Sequence, residues 1–378
     1  MPIARLAALA LAGVASLPAA GRAQVVKVLY NFAGRHHGGS PYAGVTYHAG
    51  GLFGTAPDDG AAGFGVAFKV DPATGAENPL HGFAGGADGE TPYGGLIYAN
   101  KIFYGTTTQG GASNNGTVFS LDPKTHAETV VYSFAGGADG AFPAGTLTYQ
   151  SGFLYGTTVG GGTPGLGTVF QIDLATGAET VLHSFAGGAD GASPFAGLLY
   201  EAGTLYGTTA NGGAAYNGTL FAVDVSTATE TVLYSFTGGA DGANPYAGLI
   251  DESGILYGTT VFGGATGNGA VFSFNPATST ETVLYSFRGG ADGAAPYAGL
   301  LYESGTFYGT TYYGGGTDNG TVFSIDAATG AETILTRFKG GRAPANPYAG
   351  LIYQAGNFYG TTQDGGASGL GVVFELTP

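Results

Sequence analysis

A repeat of 51 residues runs without insertion from residue 24 to the C-terminus and limits the folds that this chain can adopt. Two phenylalanines mark every copy. The first recurs at Phe32, Phe83, Phe134, Phe185, Phe236, Phe287 and Phe338, and the second at Phe68, Phe119, Phe170, Phe221, Phe272, Phe323 and Phe374. A fixed period of about this length is typical of architectures in which each unit packs only against its neighbours. The repeat therefore predicts one domain, although the length of the chain would allow two or three.

Each copy predicts four short strands. In the copy from Pro245 to Phe287 the apolar runs are Ala247–Ile250, Ile255–Thr260, Ala270–Phe274 and Glu281–Phe287, which we name strands A to D. They are rich in β-branched and aromatic residues and are bounded by Gly, Pro, Asn or Asp. Tight turns join A to B and C to D, which indicates an antiparallel sheet. Because both faces of this sheet carry apolar side chains, it must be sandwiched between copies of itself.

The two ends of the repeat region favour a closed ring over an open solenoid or a sandwich. The region begins with a lone D-type strand, Val25–Phe32, and ends just after a C-type strand, Gly371–Leu376. The N-terminal strand can therefore complete the last sheet. We predict an all-β fold, a single seven-bladed β-propeller of four-stranded repeats over residues 24–378. The predicted blades are residues 41–83, 92–134, 143–185, 194–236, 245–287, 296–338, and 347–378 together with 24–32.

Residues 1–23 have the layout of a secretory signal peptide. A lone Arg5 precedes an apolar run from Leu6 to Leu17, and small residues follow as far as Ala23. This run is too short to span a bilayer, and no later apolar stretch reaches the required length. We therefore expect a bacterial-type exported protein, periplasmic or secreted, with no membrane span in the mature chain.

Composition narrows the range of partners and of chemistry. The chain has no cysteine, so disulfides, thiolate metal sites and cysteine nucleophiles are excluded. Without residues 1–23 it has nine basic and 26 acidic residues, a formal charge of −17. Such a surface repels nucleic acid and anionic lipid. We expect a monomer with no nucleic-acid partner.

Three motifs recur through the copies. They are the Leu-Tyr-Gly-Thr-Thr of 256–260, the Gly-Thr-Val-Phe of 320–323, and the run from Gly-Gly-Ala-Asp-Gly to Pro-Tyr-Ala-Gly-Leu of 238–249. Together they resemble the GloVer-type tandem repeat of exported bacterial proteins, over all of residues 24–378. The resemblance implies export and a repeat fold, and it implies no particular activity.

The long D–A and B–C loops are predicted to share one face of the propeller, where function is most often found. One acidic position of the D–A loop recurs in five copies, at Asp88, Asp139, Asp190, Asp241 and Asp292. It has two interpretations: a ring that binds a cation or forms a polar rim for a sugar, or an Asp-Gly turn whose carboxylate accepts backbone N–H bonds. Repetition in five blades favours the turn. No full calcium-binding loop is present, so we predict no metal site.

Two D–A loops depart from the repeat beside the predicted closure. In the first, Arg35, His36 and His37 replace Gly-Ala-Asp, and in the seventh Arg342 replaces Ala. With Arg288, Arg337 and Lys339 they predict a positive patch on an acidic molecule. Such a patch suits the carboxylate of an acidic glycan, or His37 acting as a base near neutral pH. The alternative is drift of terminal repeats without function.

No catalytic signature or cofactor motif is present, neither His-Glu-x-x-His, nor Gly-x-Ser-x-Gly, nor a phosphate loop in its required context. We therefore favour a non-catalytic propeller, without cofactor, that binds a glycan or a cell-envelope or extracellular partner through its long-loop face. Two alternatives stay open. One is a polysaccharide hydrolase or lyase with Arg35, His37 and Arg342 near the reaction, and the other is a structural matrix protein.

Overall fold

The computed structural model describes residues 24–378, which form seven four-stranded antiparallel sheets arranged as blades in a ring. The predicted all-β, seven-bladed propeller is confirmed. The predicted signal peptide lies outside the described residues. Within residues 24–378 no helix is long and apolar enough to cross a membrane.

In each blade strand A is nearest the axis of the ring and strand D is outermost. Blades 1 to 3 contain Thr46–His48, Gly51–Ala56, Val66–Val70 and Glu77–Gly82; Ile97–Ala99, Ile102–Thr107, Thr117–Leu121 and Glu128–Ser133; Thr148–Gln150, Phe153–Thr158, Thr168–Asp173 and Glu179–Ser184. Blades 4 to 6 contain Leu199–Glu201, Thr204–Thr209, Thr219–Asp224 and Thr229–Ser235; Ile250–Glu252, Ile255–Thr260, Ala270–Asn275 and Thr280–Ser286; Leu301–Glu303, Thr306–Thr311, Thr321–Asp326 and Glu332–Arg337. Blade 7 contains Ile352–Gln354, Asn357–Thr362, Val372–Thr377 and Val25–Asn31. Short 3-10 turns at Arg35–His37, Gly86–Asp88, Gly137–Asp139 and Gly188–Asp190, and the two-residue strands Pro344–Ala345 and Asp364–Gly365, lie in the loops.

The ring closes through the strand that comes first in the described chain. Val25–Asn31 pairs antiparallel with Val372–Thr377, with Val28 opposite Phe374. Both ends of the repeat region therefore belong to blade 7. Val25–Asn31 covers the outer edge of Val372–Thr377, so blade 7 has the same four strands as the other blades.

Strand A is shorter than the apolar pattern predicts and begins later. In blade 5 the paired strand is Ile250–Glu252 instead of Ala247–Ile250. The carbonyl of Ala247 accepts a hydrogen bond from the hydroxyl of Thr208, in the neighbouring blade, at 3.0 Å. A Cβ on Gly248 would lie 3.2 Å from the carbonyl oxygen of Gly197. The segment before strand A therefore contacts the preceding blade instead of extending its own sheet.

The core lies between blades. The two phenylalanines that mark the repeat meet there edge to face, the first from one blade and the second from the next. All seven pairs, from Phe32–Phe68 to Phe338–Phe374, have ring centroids 5.0 to 5.4 Å apart. Edge-to-face packing of buried aromatic rings stabilises beyond the area it buries. Each blade is thus stable only between neighbours, as the repeat predicts.

The long loops of adjacent blades are joined by backbone pairing. Residue pairs such as Glu90 with Gln109 and Ala192 with Asn211 form bridges between a D–A loop and the B–C loop of the blade that it enters. At the seventh position the bridge is extended to Pro344–Ala345 with Asp364–Gly365. The D–A and B–C loops therefore share one surface, which we call the long-loop face. The pairing holds side chains on this face in fixed positions.

Candidate ligand-binding site

A cavity of about 500 Å³ lies at the centre of the ring. Its lining includes residues from all seven blades and the first B–C loop residues Thr108 and Val159, so it opens towards the long-loop face. The residues that line it come mainly from the Pro-Tyr-Ala-Gly segment that precedes strand A. Six half-buried aromatic side chains from this segment surround the cavity: Tyr42, Tyr93, Phe195, Tyr246, Tyr297 and Tyr348. We call them the aromatic mouth.

The aromatic mouth is continuous from blade 4 through the closure to blade 2. Phe195 contacts Tyr246 with ring centroids 4.9 Å apart, and Tyr246 contacts Tyr297 at 5.5 Å. Tyr297 stacks on Tyr348 at 4.7 Å with 19° between the planes. Tyr348 meets Tyr42 at 5.0 Å. Tyr42 then contacts Tyr93 at 4.4 Å. Mutual contact fixes the orientation of these rings before any ligand binds.

Two hydroxyl groups at the mouth are held in their uncharged form. Burial, and then the nearby Asp364 carboxylate, raises the pKa of Tyr312 to about 12. Burial also raises the pKa of Tyr348 above its usual range. The amide of Gln363 accepts from the Tyr312 hydroxyl at 2.9 Å and donates to the Tyr42 oxygen at 2.7 Å. No charged side chain from the described part of the chain lines the cavity. The site therefore offers aromatic faces and neutral hydrogen-bonding groups.

A belt of threonine hydroxyls holds the inner segments in place. The first threonine of each Thr-Thr pair, or its equivalent in blade 1, donates to a carbonyl of the next blade's inner segment at 2.8 to 3.4 Å. The donors are Thr55, Thr106, Thr157, Thr208, Thr259, Thr310 and Thr361. These hydroxyls are buried and already paired. Their role is to join blades, which leaves the aromatic side chains to meet a ligand.

Blade 3 interrupts the mouth. Ala144 occupies the position of the aromatic residue, and Thr146 occupies that of the inner glycine. The Thr146 oxygen accepts a hydrogen bond from the backbone N–H of Gly95 at 3.0 Å. Phe142 lies beside this gap, 43% exposed, with a positive φ of 61°. The equivalent residue has a positive φ in every copy, from Ser40 to Asn346, so this backbone conformation belongs to the repeat and the exposed phenyl ring is what distinguishes blade 3.

The five repeated aspartates lie away from the cavity. Each carboxylate accepts from the backbone N–H four residues earlier, at 2.5 to 2.7 Å. Each also contacts a strand D side chain seven residues earlier, such as Tyr132 with Asp139 or His81 with Asp88. The contacts match the turn interpretation of this position. None of these five aspartates lines the central cavity.

The predicted positive patch is also outside the aromatic mouth. All seven of its side chains are exposed. His37 Nδ1 lies 2.7 Å from Glu77 Oε2, and Arg337 Nε donates to the Ala291 carbonyl at 3.1 Å beside Glu332. None of Arg35, His36, His37, Arg288, Arg337, Lys339 and Arg342 lines the central cavity.

Sequence reasoning missed the aromatic mouth, since it looked for function in the D–A loops and in their departures from the repeat. The signal was the Tyr of Pro-Tyr-Ala-Gly immediately before strand A. In a propeller strand A is innermost, so one residue repeated at this point must converge around the axis.

The sequence matches a family model described as the Gloeobacter/Verrucomicrobia repeat, over residues 18–215 and 188–374. The chain belongs to this family. No curated protein matches it. The two matched ranges overlap and together extend from residue 18 to residue 374. The interruption in blade 3 is a departure of this sequence from its own other copies.

Solved structures share the fold of this family member at low sequence identity. An oligogalacturonate lyase in complex with manganese has a TM-score of 0.60 and 14% identity, over 93% of this chain and 92% of that one. An oligogalacturonate lyase from Vibrio parahaemolyticus has a TM-score of 0.59 and 11% identity, over 93% of both chains. Identity this low shows the propeller fold and no more.

Proposed function

We propose that this protein is an exported, non-catalytic propeller that binds an uncharged glycan at its aromatic mouth. The observation that carries the proposal is the convergence of six aromatic rings from six blades on one cavity of about 500 Å³. This volume is in the range of ligand pockets. Tyrosine combines an apolar face with a polar tip, which suits a sugar ring that has a C–H face and hydroxyl edges.

The charge of the lining favours a neutral sugar over an acidic one. A uronic acid carboxylate taken into the cavity would need a cationic partner. The basic residues at the closure lie elsewhere, and His37 is already paired with Glu77. Exposed aromatic side chains continue over the long-loop face at Phe262 and Tyr313, 49% and 44% exposed. These side chains extend the surface over which a chain of sugars can stack.

The gap in blade 3 gives a bound glycan chain one side on which to leave the mouth. Ala144 leaves room where every other blade has a ring, so a chain held in the mouth can leave over blade 3 past Phe142. The hydroxyl of Thr146 accepts from Gly95, which leaves its proton available to a ligand oxygen. The mouth therefore holds a chain end, and blade 3 sets the path of the remainder.

The lining supports binding over turnover. Glycoside hydrolysis ordinarily needs two carboxyl groups at the bond to be broken, and the described residues place none in this cavity. The raised tyrosine pKa values disfavour phenolate as a base. Export rests on the predicted signal peptide and on the resemblance to exported repeat proteins.

The test is a screen of the purified protein against uncharged and uronic-acid polysaccharides, with product detection for every hit. We expect saturable binding of an uncharged glycan without product. The double variant Tyr297→Ala, Tyr348→Ala should weaken that binding at least about tenfold, since stacked aromatic anchors dominate interfaces. Tyr216→Ala is the matched control, because this exposed tyrosine does not line the cavity.

A second pair of variants separates the two candidate surfaces. Arg35→Ala with Arg342→Ala should leave binding of the uncharged glycan unchanged. If this pair weakens binding and the tyrosine pair does not, the closure patch is the site and the aromatic mouth is not. Release of product from a polysaccharide would replace the binding proposal by the hydrolase or lyase alternative.

A further inference from the structure

Outer clefts between blades hold paired carboxyl groups. In five clefts the aspartate of a D–A loop lies beside a glutamate at the start of strand D in the next blade. The pairs are Asp88 with Glu128, Asp139 with Glu179, Asp190 with Glu230, Asp241 with Glu281, and Asp292 with Glu332. We call these the carboxyl clefts. They lie outside the lining of the aromatic mouth.

Two of the five clefts add an imidazole. His81 Nε2 lies 3.0 and 3.1 Å from the two carboxylate oxygens of Asp88. His183 Nε2 lies 3.1 and 3.3 Å from those of Asp190. In the other three clefts the same strand D position is tyrosine, whose hydroxyl donates to the aspartate at 2.5 to 3.0 Å. The His clefts thus differ from the Tyr clefts in one residue type.

We propose that each of the two His clefts binds a divalent transition-metal ion of the Zn²⁺ class. One ligand atom from each of His81, Asp88 and Glu128 lies within 4.8 Å of the others, and so do those of His183, Asp190 and Glu230. Ligands about 2.0 to 2.1 Å from a tetrahedral zinc lie roughly 3.3 Å apart, so small side-chain movements suffice to coordinate an ion. One nitrogen and two carboxylate ligands suit zinc.

Each His cleft also contains a buried carboxylate oxygen without a hydrogen-bond partner, which independently supports an ion site. Glu128 Oε1 and Glu230 Oε1 are buried and have no hydrogen-bond partner. A buried polar atom without a partner is costly, and it marks a place for an ion or a bound molecule. The Tyr clefts have the same unpaired oxygen, but a neutral phenol is a hydrogen-bond donor and does not replace the imidazole ligand. Glu77 has His37 and the Tyr30 hydroxyl as neighbours, so among the described residues that cleft lacks the second carboxylate.

A bound ion would join two blades. Asp88 and His81 belong to blade 1 and its exit loop, whereas Glu128 belongs to blade 2. The second site connects blades 3 and 4 in the same way. Metal binding would therefore stabilise the ring without reaching the aromatic mouth.

Titration of the untagged protein with ZnCl₂ by calorimetry, after EDTA and desalting, tests the proposal. We expect two ions per chain and a higher Tm with zinc. His81→Tyr with His183→Tyr should abolish both ions, since it installs the residue that the other clefts have and retains a donor to aspartate. Tyr132→His should raise the stoichiometry to three, because it completes the same ligand set between blades 2 and 3.

Three results would overturn the proposal. Unchanged zinc stoichiometry in the double His→Tyr variant would place the ion on other histidines, such as His36 or His126. Five ions of Ca²⁺ per chain, insensitive to the histidines, would show that the carboxyl pairs alone bind a hard cation. No zinc binding by a protein whose circular dichroism is that of a folded β protein would exclude the sites.

Discussion

The aromatic mouth and the carboxyl clefts are built from the same repeat but differ in how the copies meet. At the mouth, residues 51 positions apart touch one another, as Tyr297 and Tyr348 do at 4.7 Å. In the clefts the equivalent residues remain separate, and each glutamate has its own aspartate from the preceding loop. Distance from the axis decides this difference, since inner strands converge and outer strands diverge.

This difference shows how a repeat protein obtains a site. Near the axis seven copies make one shared site, so a departure in a single blade gives that site an orientation. At the rim each copy makes an independent small site, so a change in one blade affects one cleft. The closure provides the natural example: Ala343 stands in the aspartate position, Val26 stands in the glutamate position, and this one cleft lacks both acids.

The largest expected effect comes from the phenylalanine layer that separates the two regions. Phe134→Ala should lower the free energy of unfolding by about 3–5 kcal/mol, because it opens a cavity beneath a fully buried ring. Tyr297→Ala, on a half-buried ring at the mouth, should cost clearly less. Denaturant unfolding of both variants checks this order. A larger loss for Tyr297→Ala would mean that the mouth is a core and not a binding surface.

Between about pH 5 and pH 8 the clefts should make stability depend on pH, whereas Tyr312 and Tyr348 at the mouth, whose pKa values are raised, stay protonated over this range. Burial, then the charge of Asp139, raises the pKa of Glu179 to about 8, and burial with Asp241 raises that of Glu281 to about 7. A raised carboxyl pKa means that the folded state binds more protons than the unfolded state above the unfolded pKa of 4.5. Stability should therefore fall as pH rises from about 5 to about 8, and thermal unfolding across that range measures it.

A matched variant identifies the source of this pH dependence. Glu179→Gln keeps the shape of the side chain and removes its titration, so the decline in Tm between these pH values should be smaller than in the unmodified protein. Glu201→Gln, an exposed glutamate at the end of a strand A, is the control and should leave the decline unchanged. An identical slope in Glu179→Gln would exclude this cleft as a source.

The smallest expected effect concerns the threonine belt beneath the mouth. Thr208→Val retains the shape but leaves the buried carbonyl of Ala247 unpaired, which should cost about 1–3 kcal/mol in the free energy of unfolding. Thr208→Ser keeps a hydroxyl and should recover part of this loss. Equal stability of Thr208→Val and the unmodified protein, in denaturant unfolding, would show that the belt contributes little.

Much of the architecture could be predicted because it depends on residues repeated at one period. The two phenylalanine series predicted seven units, and the structure pairs one series with the other between blades. The bounds of strand A were less predictable. Apolar character could not show that the carbonyl of Ala247 would accept a hydrogen bond from the preceding blade instead of pairing within its own sheet.

For the candidate site, the sequence showed which residues were unusual but not which residues lie together in the folded ring. His37 and Arg342 stood out as departures in the sequence, yet the cavity is lined by the regular Tyr of Pro-Tyr-Ala-Gly. The pairing of the glutamates in the carboxyl clefts could not be predicted, because their aspartate partners lie 40 positions earlier in the chain. A contact across a blade boundary leaves no local pattern.

The unit, the number of units and the closure of the ring could all be predicted from the amino-acid sequence, because the period, the apolar pattern and the displaced D strand are local properties that add up along the chain. Which repeated residues form one shared site and which form many separate sites depends on the folded ring. Closing the ring brings the inner segments of all blades to one axis and holds the outer strands apart, and this convergence is a property of the closed ring that no single repeat contains.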